Sequence, residues 1–231
     1  MQGEMEQSQS TLRHFFAGQT VHLLVLGALV VVGFQLVDFN RLQEGRFLGI
    51  GTRIWFVIAI SVPIIHQVFV WLAWRSELCF GLISRSLGSR GFVIYKIIFL
   101  ILLLARPTSL ILLAISDHDS LVLSIPARMI LCLVLGVPAT YALYSVVRYF
   151  GLDRAVGIDH FDASYRNVPF VKQGMFKYSS NSMYVFAFLI LWVIAIAAAS
   201  GCAIVVALFS HAYIWVHYFC TELPDIKSIY G

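Results

Sequence analysis

Six long apolar stretches, divided by short polar segments, limit what this 231-residue chain can fold into more than any other feature. They run roughly Thr20 to Val37, Ile54 to Trp74, Phe92 to Ile115, Leu121 to Val147, Met183 to Ala199 and Cys202 to Cys220. Most have about the length of a bilayer crossing, near 20 residues. Backbone groups in lipid find no water, so stretches of this length must pair their own N–H and C=O groups as helices. Soluble domains are nearer half apolar and a quarter charged; this chain is 60% apolar and 12% charged, with a mean hydropathy of +0.85. The expected fold is therefore all-α, a polytopic transmembrane bundle of about six spans.

The net charge of +4 reads as a topology signal, because basic residues in membrane proteins gather in cytosolic loops. With six spans, ten lysines and arginines share one face, Arg13 and Lys227 at the termini, Arg75, Arg85 and Arg90 in the second loop and Arg148, Arg154, Arg166, Lys172 and Lys177 in the fourth, against Arg41, Arg46 and Arg53 opposite. Both termini and the long fourth loop are thus expected in the cytosol, and nucleic acid is not an expected partner. The first 19 residues carry Glu4 and Glu6 and lack the basic start and cleavage site of a signal peptide, so the first span is expected to be retained. Cys79, Cys132, Cys202 and Cys220 lack the paired spacing of a zinc or redox site and are expected to pack as small apolar residues; no metal is expected.

Arg106 and Pro107 interrupt the third stretch, where a kink is expected, and Pro126 and Pro138 bracket Arg128 in the fourth, which should start late or bend. The fifth and sixth stretches are parted only by Ser200 and Gly201, too few for a loop beyond the headgroups. They predict a tight helical hairpin, with Ala195, Ala197, Ala198, Ala199 and Ser200 letting the backbones approach. No internal repeat of the kind common in transporters relates the halves.

Polar chemistry concentrates in the last third. The loop from Arg148 to Ser182 is long for a bundle connection, and such loops are commonly functional. It holds Asp153, Asp159, His160, Asp162, Tyr165, Arg166 and Lys177. The sixth helix ends in His211, Tyr213, His217 and Tyr218, followed by Thr221, Glu222, Pro224 and Asp225. Since a hairpin returns the chain to the side it left, the segment before Tyr184 and the segment around Glu222 should meet at one membrane surface.

At these residues the chain resembles a family. The run from Gly174 through Asn181-Ser-Met-Tyr184, the apolar hairpin, and Glu222-Leu-Pro224 followed by Ile229-Tyr230 is similar to the C-terminal core of membrane-embedded methyltransferases. These include the phospholipid N-methyltransferases, whose pattern lies closer here, and the isoprenylcysteine carboxyl methyltransferases. Tyr149-Phe150-Gly151 adds to the likeness, which spans Tyr149 to Gly231. Departures are Ser182 at the motif proline, Ser180 at an expected arginine and Leu223 at the second glutamate. Charge and hydropathy give a cytosolic segment over 1–19 and N-terminal helices over 20–147, and the resemblance implies a methyltransferase-like core over 148–231.

What the resemblance implies chemically is methyl transfer from S-adenosylmethionine to a lipophilic acceptor entering from the bilayer, most readily a phospholipid amine. Glu222 and Asn181 would hold the cofactor's polar groups, and Tyr184 and Tyr218, with Trp215, would line its pocket. His211, His217 or Asp225 would accept the amine's proton; each histidine is equally readable as a hydrogen-bonder at a helix end. Arg148 or Lys177 would bind a lipid phosphate or simply anchor helix ends. Arg106 and Arg128 are costly in hydrocarbon, and either could face a headgroup cavity. Lys96 is expected to snorkel, and His22 and His66 to be buried hydrogen-bonders. A carboxylate or thiol acceptor, a nicotinamide-dependent sterol-reductase-like enzyme, and a non-catalytic scaffold or transporter are the competing readings. The membrane, endoplasmic reticulum or bacterial inner membrane, is left open, as is the oligomeric state.

Overall fold

The computed structural model describes residues 2–37 and 41–231, with side chains for all of these except 2–8, 41 and 43, so Glu4, Glu6 and Arg41 lie outside the described side chains. Helices α1 (Gln2–Phe16) and α2 (Gln19–Leu36) lead into α3 (Arg41–Glu44) and a two-stranded antiparallel ribbon of β1 (Arg46–Phe47) and β2 (Ile50–Gly51). Then follow α4 (Thr52–Phe80), α5 (Leu82–Leu87), α6 (Gly91–Ser116), α7 (Ile125–Ser145) and α8 (Leu152–Ala155). The chain closes with α9 (Leu189–Ala197), α10 (Gly201–His217) and α11 (Leu223–Tyr230).

Every apolar stretch is helical. Among the described residues, five helical segments are long and apolar enough to cross a membrane, and Met183–Ala197 forms a shorter sixth. The protein is an all-α polytopic bundle. We call the end carrying residues 151–182 the loop face and the end carrying residues 198–200 the turn face.

α4, α6 and α7 run on through Pro63, Pro107 and Pro138. Beside Pro107, the Thr108 hydroxyl donates to the Leu104 carbonyl (2.8 Å) and the Ser109 hydroxyl to that of Arg106 (3.0 Å). The fourth span does start late. Ser124 caps α7 by accepting the Ala127 N–H, and Pro126 sits in the first turn, where a missing N–H costs no hydrogen bond.

α10 lies centrally, against α2, α4, α6 and α9. Phe56, Leu113, Ala195, Ala203, Ala207 and Tyr213 are fully buried there, while Ile94, Ile97, Ile101 and Leu104 form an outward stripe on α6 at helical spacing, the side that meets lipid. The α9–α10 hairpin is as tight as expected. Its backbone turns at Ala199, which adopts a positive φ of 46°, and Ser200 caps α10. The buried Asp117 carboxylate closes the turn face by accepting from the Ser120 and Ser200 hydroxyls (2.9 and 2.7 Å) and the Cys202 N–H (2.9 Å).

One residue departs sharply from its sequence reading. Arg75, placed above in the second loop, lies inside the bundle, because α4 continues to Phe80 and ends only at Gly81, whose left-handed φ of 59° lets its N–H bond to the Glu77 carbonyl. Its side chain is 0% exposed.

Candidate functional site

At the loop face the last three spans each contain a π-helical turn: Val146–Phe150, Met183–Ala187 and Tyr218–Glu222. Such turns insert one residue into the helix, re-aim the side chains beyond it, and concentrate at functional sites. Two of the three carry Tyr184, Tyr218 and Glu222. Sequence gives no simple code for them.

The turns aim these side chains at one another. The Tyr184 hydroxyl donates a hydrogen bond to Glu222 Oε2. Tyr184, Trp215 and Tyr218 pack edge to face around that bond, with ring centroids 5.7 to 5.9 Å apart, and Phe188 lies 6.3 Å from Tyr184. The result is a carboxylate set in an aromatic box, a combination suited to an organic cation. Asn181 begins the π turn, its carbonyl accepting from the Tyr184 and Val185 N–H groups (both 3.0 Å). Ser182, at the motif proline, is buried and donates to the carbonyls of Met175 (2.7 Å) and Ser179 (2.5 Å), tying the incoming loop to the turn. Asn181 and Glu222 thus lie at the same end of the bundle.

The three predicted proton acceptors have different surroundings. His211 Nδ1 accepts the Trp192 indole N–H (3.1 Å), which fixes the neutral ring with its proton on Nε2 and leaves its basic nitrogen occupied. Asp225 is 0% exposed; Oδ1 pairs with Arg75 Nε at 3.0 Å and His14 Nε2 at 3.3 Å, and Oδ2 faces His160 Nε2 at 3.6 Å. His217 is buried with both ring nitrogens unpartnered among the described residues.

The predicted substrate cations are scattered. Arg148 is exposed and lies over the Tyr149 ring at 5.8 Å, and Lys177 is exposed at the end of a 3₁₀ turn; both are at the loop face. Arg106 is buried in α6, with its guanidinium 5.7 Å from the Phe188 ring. Arg128 does not join them: it stands at the turn face, paired with Asp119 at 2.5 Å, because the late start of α7 leaves it at the helix end. Arg128 thus stands apart from Arg106. Lys96 reaches the loop face and pairs with Asp153 at 2.8 Å. His22 bonds to Gln19 and Tyr213, whereas His66 is buried without a hydrogen-bond partner among the described residues, contrary to its sequence reading.

Sequence reasoning missed the ionic cluster beneath the loop. Arg75 also donates to the carbonyls of His14, Phe15 and Ala17 (2.7 to 2.9 Å), which pins α1 to α4 and α11. His160 stacks on Trp74 at 4.2 Å and contacts Asp159 at 3.2 Å. Burial alone would depress the His160 pKa, but Asp159 and Asp225 outweigh it and raise the value to about 9. Asp159 is likewise opposed by burial, yet His160 and the Tyr230 hydroxyl (2.8 Å) bring it below the ordinary value. The available signal was Arg75 following directly on an apolar run, a position where a charge is either a boundary or a buried partner.

A cleft of about 450 Å³, lined by Val137, Pro138, Tyr141, Met175, Tyr178 and Phe186, opens beside the Met183–Ala187 turn. A second, of about 390 Å³, lies at the turn face around Asp117 and Gly201. Neither is lined by Asn181, Tyr184 or Glu222.

Residues 127–231 match the phospholipid methyltransferase family. That region is similar to the membrane-embedded methyltransferases of the phospholipid and isoprenylcysteine type. The chain is an integral membrane protein. No curated protein and no solved structure matches it significantly. The matched region takes in nearly all of α7, all three π turns and the whole aromatic box. Arg75, His66 and Arg106 come from helices that precede the matched region.

Proposed function

We propose that this protein methylates a phospholipid amine, using S-adenosylmethionine, at the cytosolic surface of its membrane. The observation that carries this reading is the Tyr184–Glu222 bond inside the box of Trp215 and Tyr218. A carboxylate and aromatic faces together suit a sulfonium cofactor, which they attract electrostatically in a site screened from water. When bound, the cofactor supplies a methyl group on positively charged sulfur, ready for displacement.

The chain's own part is holding and proton transfer. Glu222 and Asn181 hold the cofactor's polar groups; Tyr184 and Tyr218 flank it. An ammonium headgroup must lose a proton before its nitrogen can attack. Of the three candidates His217 is best suited, since its ring nitrogens are not engaged by protein, whereas His211 gives its basic nitrogen to Trp192 and Asp225 is held by Arg75. The N–H bond breaks, the proton passes to the His217 ring, and the freed lone pair stays on nitrogen. Arg148 and Lys177 attract the lipid to the loop face through its phosphate, and alignment of two bound partners supplies most of the catalysis.

Ligand-dependent stability tests the reading. In detergent, S-adenosylmethionine or S-adenosylhomocysteine should raise the melting temperature, as any ligand of the native state does. Glu222→Ala should lose that rise while keeping its helical content. A rise with NADPH and none with S-adenosylhomocysteine would favour a reductase instead.

A further inference from the structure

Two buried polar side chains in the middle of the bundle have almost nothing of the protein's own to bind. His66, on α4, is 2% exposed, and neither ring nitrogen has a hydrogen-bond partner among the described residues. Its close neighbour is the Phe99 ring, edge-on at 4.6 Å. Arg106, on α6, is 5% exposed; Nη2 makes one long contact with the Pro63 carbonyl (3.4 Å), and Nε has no partner. No carboxylate pairs with it among the described residues.

The two belong together. Pro63 and His66 are three residues apart on α4 and share a face, so the guanidinium that reaches Pro63 lies on the His66 side of α4. His66 is within electrostatic reach of both Arg106 and His217. Buried polar groups find partners in protein, water or ligand, and a buried guanidinium also needs a countercharge, which water cannot give. The partner missing between α4 and α6 is an anion with several acceptor oxygens.

We propose that Arg106 and His66 form an internal phosphate site for the headgroup of a phospholipid acceptor. This rests on the methyltransferase reading above. The guanidinium fork suits two phosphate oxygens at once, and an imidazole N–H supplies a further donor. Arg106 also lies over Phe188, one turn along from Tyr184, and within electrostatic reach of Tyr184 itself. A phosphate held there directs the two-carbon arm of an ethanolamine headgroup toward the Tyr184–Glu222 box, with His217 nearby to take its proton. The arrangement selects acceptors in which a phosphate and an amine are separated by that short arm.

The test uses the full-length protein in a maltoside detergent free of phosphate. Thermal-shift titrations compare dioctanoylphosphatidylethanolamine, dioctanoylglycerol and inorganic phosphate on wild type, Arg106→Gln, Arg106→Lys and His66→Asn. The site predicts that wild type prefers the phospholipid to dioctanoylglycerol, that Arg106→Gln weakens phospholipid binding at least tenfold, and that Arg106→Lys and His66→Asn weaken it less. The S-adenosylhomocysteine shift should survive in all three variants. Unchanged phospholipid binding in Arg106→Gln and His66→Asn would overturn the site. Equal, Arg106-dependent binding of inorganic phosphate would overturn its assignment to a lipid. The phospholipid titration decides the site whether or not S-adenosylhomocysteine binds; absence of that shift in wild type counts against the methyltransferase reading alone.

Discussion

Tyr184 and Glu222, on opposite arms of the α9–α10 hairpin and 38 positions apart, are joined by a hydrogen bond from the tyrosine hydroxyl to the carboxylate. The bond exists because α9 and α10 approach closely at Ala195, Ala199 and Ala203, all fully buried, and because each arm carries a π turn where it meets the loop face. Small residues at the turn face therefore set the spacing of a polar pair at the other end.

If that pair holds a cationic cofactor, Tyr184→Phe should weaken S-adenosylhomocysteine binding about tenfold, the scale of one hydrogen bond to a charged group. Glu222→Gln should weaken it further. Isothermal titration of detergent-solubilised protein measures both, and equal affinities in wild type and variants would remove the pair from the site.

The Arg75–Asp225 pair joins three segments far apart in sequence, and both side chains are 0% exposed. Removing one partner leaves the other charge buried and unpaired, at a cost of about 3–5 kcal/mol. Arg75→Ala should lower the melting temperature by many degrees and release α1, seen as faster proteolysis near Phe16. A shift within a degree of wild type would mean that the pair holds nothing together.

How far these features were legible in the sequence divides along physical lines. The spans were readable because hydrocarbon thickness fixes their length, and the hairpin because Ser200 and Gly201 leave no chain for a loop. The meeting of Tyr184 and Glu222 at one face followed from that topology. The π turns were not readable, since they reflect packing rather than propensity. Arg75 was misread because a charge after Trp74 looks like a span boundary, and only the extension of α4 to Phe80 buries it. The pairing of Arg128 was not readable because its partner, Asp119, lies outside the apolar stretch.

The raised pKa of His160 makes a signed prediction. Its folded value, about 9, lies above the ordinary 6.5, so the stability it contributes is complete below pH 6.5, declines between 6.5 and 9, and is gone above. The melting temperature of wild type should therefore fall between pH 7 and 9.5. In His160→Gln the fall should be smaller, and parallel curves for the two proteins would refute the assignment.

At the turn face, Asp117→Ala removes the acceptor for two hydroxyls and one backbone N–H. The expected loss is about 1–3 kcal/mol of stability. S-adenosylhomocysteine affinity should be unchanged, because the aspartate lies at the far end of the bundle from Glu222. Thermal melts with and without ligand separate the two effects; a loss of affinity matching that of Glu222→Gln would contradict the placement.

The central claim is that the Tyr184–Glu222 box serves methyl transfer to a phospholipid. The direct measurement supplies S-adenosylmethionine labelled in its methyl group to purified protein in vesicles containing phosphatidylethanolamine, then extracts and identifies the labelled lipid. The account predicts label on the ethanolamine nitrogen with wild type and none above background with Glu222→Ala. Label in another acceptor, or equal label with Glu222→Ala, would contradict it.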